Sequence, residues 1–200
     1  MAKIQPLAAA ASPLSSDDQR SQQVRQQTYT VWMKSLVFNG NGCAVYGPDG
    51  AVAFRVDNYG CRGGRDVVFM DRARNALIRI RRKGFGMFRR WEVCRCAHNG
   101  GQEEEATPWF SVRRAEKGGA AVAMHGGTAM CYTIDGCSAR KSEYRVGGVD
   151  GTVVAEVARK QTAAGVVLGE DVLTLTMAPE VDHLLVLGLV VVCGLINRSL

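Results

Sequence analysis

The residues with most to offer chemically are cations. Between Arg72 and Arg95 the chain carries nine lysines and arginines against one acid, Glu92. That window holds +8 in a chain whose formal total is +6, which leaves −2 for everything else. Arg79 and Arg81 alternate with Ile78 and Ile80, so on a strand both guanidinium groups share one face. Arg82, Lys83, Arg89 and Arg90 flank a turn from Gly84 to Phe88, and Phe85, Met87 and Phe88 lie between the cations. Guanidinium forks and ammonium groups hold phosphate oxygens through charge-assisted hydrogen bonds. Aromatic side chains settle at the boundary of a bilayer. The pattern fits docking on anionic phospholipid, with Arg79, Arg81, Arg82, Lys83, Arg89 and Arg90 on headgroups and Phe85 and Phe88 as membrane contacts. Nucleic-acid phosphates would satisfy the same cations, and a solubilising strand face needs no ligand at all.

Other chemistry finds less support. His98, His125 and His183 each lack an acid or nucleophile at a recognised spacing, and no G-x-S-x-G, H-E-x-x-H or P-loop lysine pattern is present. The glycine-rich Gly60 to Gly64 lacks the strand–turn–helix setting of a phosphate cradle. His183, at the start of the terminal apolar run, reads as a capping or packing residue. Cys94-x-Cys96-x-His98 could point three soft ligands to one side of a strand, but no fourth ligand is evident and buried free thiols are common. No acidic loop is dense enough for calcium. The expectation is a protein that is not an enzyme, with no catalytic residue, metal or cofactor.

The elements that must position the cations are short strands. Tyr29 to Phe38 is β-rich and ends on Asn39-Gly40-Asn41-Gly42, a hairpin signal. Further segments follow at Cys43 to Tyr46, Ala51 to Val56, Asp66 to Met70, Ala76 to Arg82 and Arg90 to Cys96. After a polar loop, His98 to Thr107, come Pro108 to Ala115, Ala120 to His125, Ala129 to Ile134, Glu143 to Val146, Thr152 to Arg159, Gly165 to Leu168 and Asp171 to Met177. Glycine turns separate them, and no long helical period intervenes before residue 179. About twelve strands, each near its predecessor, describe an antiparallel meander in a sandwich or barrel.

The chain ends differently. Leu184 to Ile196 is an unbroken apolar run, entered past Glu180 and Asp182 and left at Asn197 and Arg198. A helix with no polar stripe must be buried on every side. Thirteen residues rise roughly 20 Å, short of the ~30 Å core of a bilayer, so no transmembrane span is expected. Strands of about six residues also rise about 20 Å. A barrel wider than about eight strands needs a filler, and threading it with this helix, about 180–197, solves both problems.

The bounds agree with that picture. Two hundred residues, 46% of them hydrophobic, make one domain, 28–200, with a sizeable core. Residues 1–27, rich in Ala, Ser and Gln, read as a disordered tail. Seven scattered cysteines do not make a secreted disulfide framework, and the leader does not read as a signal peptide. The expected location is the cytoplasm, the periphery of the plasma membrane or the nucleus.

Several runs, taken in order, resemble the plant LURP-one-related family. They are Val31-Trp32-Met33-Lys34-Ser35-Leu36 with Asn39-Gly40, Phe54 to Tyr59, Asp71 to Lys83 and Trp91-Glu92-Val93. Ala155-Glu156-Val157, Arg159-Lys160, Gly165-Val166, Leu168 to Val172, and Pro179 with Asp182 continue the likeness, which covers roughly Thr28 to Asn197. By analogy it implies the fold of the tubby C-terminal domain and the phospholipid scramblases, a twelve-stranded barrel around a C-terminal helix. It also implies a part in plant defence and, since tubby domains bind phosphoinositides, a lipid ligand. The rivals it implies are a membrane-tethered or nuclear transcription regulator that binds nucleic acid or protein, and scramblase-like lipid handling. The family commonly has an acidic pair just before Ile-Asn at the helix end. Here Gly194 and Leu195 stand there, so a loosely held last turn, or membrane contact, is the expected consequence.

Overall fold

The structure, a computed structural model, describes residues 26–33, 42–57, 66–84, 89–96, 107–115, 118–126, 131–137 and 143–197. The expected tail up to residue 25 and the expected membrane contacts Phe85 and Phe88 lie outside the described residues.

Twelve strands run in chain order: β1 Gln27–Trp32, β2 Gly42–Tyr46, β3 Val52–Asp57, β4 Asp66–Asp71, β5 Ala76–Lys83 and β6 Arg90–Arg95, then β7 Thr107–Arg114, β8 Ala120–Met124, β9 Cys131–Asp135, β10 Tyr144–Gly147, β11 Val153–Arg159 and β12 Val172–Met177. Each pairs antiparallel with the next, and β12 closes on β1 through Gln27↔Met177 to Trp32↔Val172, so the sheet is a closed barrel without an edge. The helix α1, His183–Asn197, threads it. Its ten residues from Leu185 to Gly194 are all buried, which answers the question of what surrounds an apolar helix.

The strands supply the other half of the core by alternation. Ile78 and Ile80 of β5, Val93 of β6, and Phe110 and Val112 of β7 are 0% exposed and belong to one cluster with Leu187, Leu189 and Val192 of the helix. Gly188 lets the helix lie close: a Cβ there would sit 3.0 Å from Cδ1 of Ile78 and 3.2 Å from Cζ of Phe110. Each fully buried Leu or Val contributes roughly 1.5–3 kcal/mol, so α1 belongs to the core of the barrel.

Alternation of direction defines two ends. At the cap end, Asp182 precedes α1 and its Oδ1 accepts from the backbone N–H groups of Leu184 and Leu185 at 3.0 and 3.2 Å, an N-cap. Nη2 of Arg95 holds the same carboxylate at 2.8 Å, and its guanidinium stacks 3.9 Å over the Trp109 ring. His183 is therefore not the cap; its Nδ1 lies 3.3 Å from the Tyr29 hydroxyl, against whose ring it packs edge-on. At the exit end, Leu195 and Ile196 are half-buried and pack on the core. The atypical Gly194 and Leu195 thus leave a helix end that is packed.

One expected strand is not a stave. Gly165 to Leu168 belongs to a projecting β11–β12 hairpin, joined only by the isolated bridge Gln161↔Val167. Val172 fills the place beside Trp32 and Leu173 the place beside Arg159, so β12 begins only after the hairpin has returned to the barrel wall.

Candidate functional site

Topology divides the basic window. Arg72 and Arg74 lie in the β4–β5 turn at the cap end, where Arg95 is already engaged by Asp182. Arg79 and Arg81 lie lower on the outer face of β5 and converge on one carboxylate, Asp66 of β4, with Nε···O separations of 3.6 and 3.5 Å. Only the remainder, Arg82, Lys83, Arg89 and Arg90, sits at the exit end.

There the barrel adds cations that no reading of the 72–95 window contains. β7 lies beside β6, and the register sets Arg113 directly opposite Arg90, while Lys83 lies opposite Arg90 on the other side. Ile80 and Val93 point inward, so Lys83, Arg90 and Arg113 share the outer face and form one cross-strand row at the rim. Directly opposed residues have Cβ atoms about 4.5–5.5 Å apart, and like charges so placed repel. Lys83 has a carboxylate at 3.8 Å, Oε1 of Glu92. Among the described residues, Arg89, Arg90, Arg113 and Arg114 have no carboxylate partner. Arg89, Arg113 and Arg114 are exposed, and Arg90 is half-buried.

The row is regular because its strands are. The register shifts in the described sheet fall at Val45/Tyr46, Phe69/Met70, Val93/Cys94 and Val146/Gly147, all toward the cap end. Bulges bend and twist a strand; the exit-end rows escape that distortion. On the inner-facing register Arg82 and Trp91 pair, and Arg114 follows Val112. Arg114 also lies near the thiol of Cys137, which a hydrogen bond with Cys193 of α1 lowers from its ordinary value, burial opposing and the Arg114 cation assisting.

The cysteine segment is less suggestive. Cys94 is buried on the outer side of β6 and Cys96 half-buried beyond it, and burial raises both thiols, so both are held as thiols. His98 lies outside the described residues. No group of three or more metal-ligating side chains converges among the described residues.

The family model for LURP-one-related proteins matches residues 27–194, which takes in every strand and the buried part of the helix. The chain belongs to the LURP-one-related family. Protein LURP-one-related 4 of Arabidopsis thaliana is 36% identical over 197 residues, covering 98% of this chain and 87% of that one. LURP-one-related 12 from the same plant is 37% identical over 84% of this chain and 77% of its own length. An X-ray structure of an Arabidopsis thaliana protein, 20% identical, superposes with a TM-score of 0.60 over 88% of this chain and 96% of its own, which supports the fold alone. No described helix of this family member is long and apolar enough to cross a membrane.

What could have revealed Arg113 and Arg114 was their place at the end of a predicted strand. Adjacent strands of a meander pair, and a strand that begins on Arg89-Arg90 must set that end beside the end of the strand that follows. The segment from 97 to 106 between them hides the neighbourhood in the linear sequence.

Proposed function

We propose that the protein is a non-catalytic, defence-associated family member that binds phosphorylated headgroups of anionic phospholipids, phosphoinositides in particular. The site is the exit-end row Lys83–Arg90–Arg113, with Arg82, Arg89 and Arg114 around it. The observation that carries this reading is the row itself: three cations opposed across three strands, with Glu92 the one carboxylate on it among the described residues. A fold tolerates such a row at a cost, and a bound phosphate removes the cost by charge-assisted hydrogen bonds to two neighbours at once. Arg79 and Arg81, which Asp66 already partly neutralises, act as the outer edge of the site. The resemblance to tubby domains points to the same ligand class.

The test is co-sedimentation of the full chain with phosphatidylcholine vesicles, with and without phosphatidylinositol phosphate. Binding should require the anionic lipid and should be lost when Arg82, Arg90, Arg113 and Arg114 are changed together to Glu. Binding to nucleic acid that weakens steeply with salt, in a protein indifferent to both kinds of vesicle, would overturn the reading in favour of a regulator.

A further inference from the structure

The exit end carries a second feature that the cations do not explain. Residues 161–168 of the β11–β12 hairpin are exposed without a break, and the stretch Gln161-Thr162-Ala163-Ala164-Gly165-Val166-Val167-Leu168 contains no charged residue. Val166, Val167 and Leu168 are 61%, 45% and 51% exposed, three consecutive large aliphatic side chains in water. Val149 and Val153, also exposed, lie at the opposite end of the barrel, in a hairpin where Asp150 sits beside them. Single exposed aliphatics are ordinary, whereas a contiguous group marks a contact surface.

The hairpin is braced at its root and closed tightly at its tip. At the root, Nε1 of Trp32 donates to Asp171 at 2.9 Å, the N–H of Met33 to the Asp171 carbonyl at 2.7 Å, and the N–H of Lys160 to the Val172 carbonyl at 2.9 Å. Leu168 donates to the carbonyl of Lys160 at 2.9 Å. At the tip, the N–H of Thr162 bonds the Val166 carbonyl and that of Gly165 bonds the Thr162 carbonyl, both at 2.9 Å, with Gly165 at φ +80°. Val166 N–H in turn reaches Thr162 Oγ1 at 3.1 Å. The exposed aliphatics therefore do not belong to a slack loop that could fold back over them.

In the closed strand order, β6 and β11 are separated by β7, β8, β9 and β10 on one side and by six strands on the other, so the cationic arc and the hairpin stand on nearly opposite sides of the same rim. One flat partner can touch both. Cations on one side and an uncharged aliphatic tip on the other match the two layers of an anionic bilayer, charged at the surface and apolar just beneath it.

We infer that the 161–168 hairpin is a membrane wedge: Val166, Val167 and Leu168 enter the headgroup–acyl boundary of an anionic bilayer while the Lys83–Arg90–Arg113 row rests on its headgroups. This rests on the lipid-binding reading above and adds a second, apolar anchor to it. Two anchors of modest strength on one rigid body act together, because the second contact is made at the high local concentration that the first provides.

The experiment compares wild-type protein with the triple variant Val166→Ser, Val167→Ser, Leu168→Ser on phosphatidylcholine vesicles containing phosphatidylinositol phosphate. The wedge predicts at least a tenfold weaker partition for the triple variant, a loss that persists at high salt, with an unchanged melting temperature. A second variant, Val167→Trp, reads insertion directly: its added fluorescence should shift to the blue and be quenched by brominated acyl chains. If wild type and triple variant bind alike and the new tryptophan is not quenched, while charge reversal at Arg90 and Arg113 abolishes binding, the wedge is overturned and headgroup binding stands. If wild-type protein does not bind these vesicles, the headgroup reading falls and the wedge with it. A concentration-dependent dimer that only the triple variant loses, without insertion by Val167→Trp, would make the hairpin a self-association surface and would also overturn the wedge.

Discussion

Arg90 offers a perturbation in which stability and binding should move in opposite directions. It lies between Lys83 and Arg113, opposite both in register, and has no carboxylate partner among the described residues. Long side chains splay, so charges about 8 Å apart in water-like dielectric repel by about 0.5 kcal/mol per pair. Arg90→Gln removes two such pairs and also the attraction of Glu92, two residues along the same outer face, a net gain of about 0.5 kcal/mol at low salt. Screening over a Debye length of about 8 Å cuts that to about a third at physiological ionic strength. For a chain of this size about 1 kcal/mol corresponds to roughly 2–4 °C in melting temperature, so Arg90→Gln should melt higher by about 1–2 °C in dilute buffer and by less than about 1 °C in physiological salt. The same substitution should weaken partition onto phosphoinositide vesicles about fivefold, since one cation near an anionic surface is worth about 1 kcal/mol. Differential scanning calorimetry at two salt concentrations and vesicle co-sedimentation read the two effects. A variant that melts lower at low salt, or one that binds vesicles as tightly as wild type, would refute the reasoning.

Other outcomes test the fold that presents the site. Leu187 is fully buried in the core cluster, so Leu187→Ala should cost about 2–5 kcal/mol; Leu187→Asp should abolish the cooperative melt, and a soluble variant with native melting would place the helix outside the barrel. Asp182→Ala removes the N-cap and the contact with Arg95 and should cost about 1–2 kcal/mol in denaturant unfolding. Tyr144 is 6% exposed, its hydroxyl has no hydrogen-bond partner among the described residues, and burial pushes its phenol well above the ordinary value. Tyr144→Phe should therefore stabilise the protein by about 1 kcal/mol, and a lower melting temperature would reveal a partner for that hydroxyl.

The barrel and its helix were legible because each rests on a local pattern that tertiary structure had one good way to satisfy. Thirteen apolar residues without a polar stripe demanded burial on all sides, and a meander of short strands offered an interior of the right length. Twelve of the strand segments expected from alternation and turns are staves, with ends moved by a residue or two where both ends are described. The first of them, expected to run to Phe38, is a strand at Gln27–Trp32, and residues 34–41 lie outside the described ones. Gly165 to Leu168 failed for a reason composition cannot express. Two valines and a leucine after a glycine carry the same β signal whether they pair in a sheet or stand on a hairpin tip, and only the register of β12 with β1 and β11 decides. The helix start was similarly ambiguous: His183 read as a capping or packing residue, and the bond geometry makes Asp182 the cap and leaves His183 to pack on Tyr29.

The site was half legible. Arg82, Lys83, Arg89 and Arg90 are close in sequence and stay at one end of the barrel, so linear charge density already grouped them. Arg113 entered by pairing across β6–β7, and Arg95 left by pairing with Asp182. Arg79 and Arg81 do share a face, as alternation requires, but the face also holds Asp66. Charge counted along a chain overlooks both kinds of change, because neutralisation and reinforcement happen across strands.

Headgroup recognition at the exit end is decided by where a phosphate sits. Crystals of the full chain grown with a soluble, short-chain phosphoinositide would show it. Phosphate density is expected on the outer face at the exit end, within hydrogen-bond reach of the guanidinium groups of Arg90 and Arg113. A headgroup bound at the cap end or along the Arg79–Asp66–Arg81 face, with the Lys83–Arg90–Arg113 row left in solvent, would contradict it.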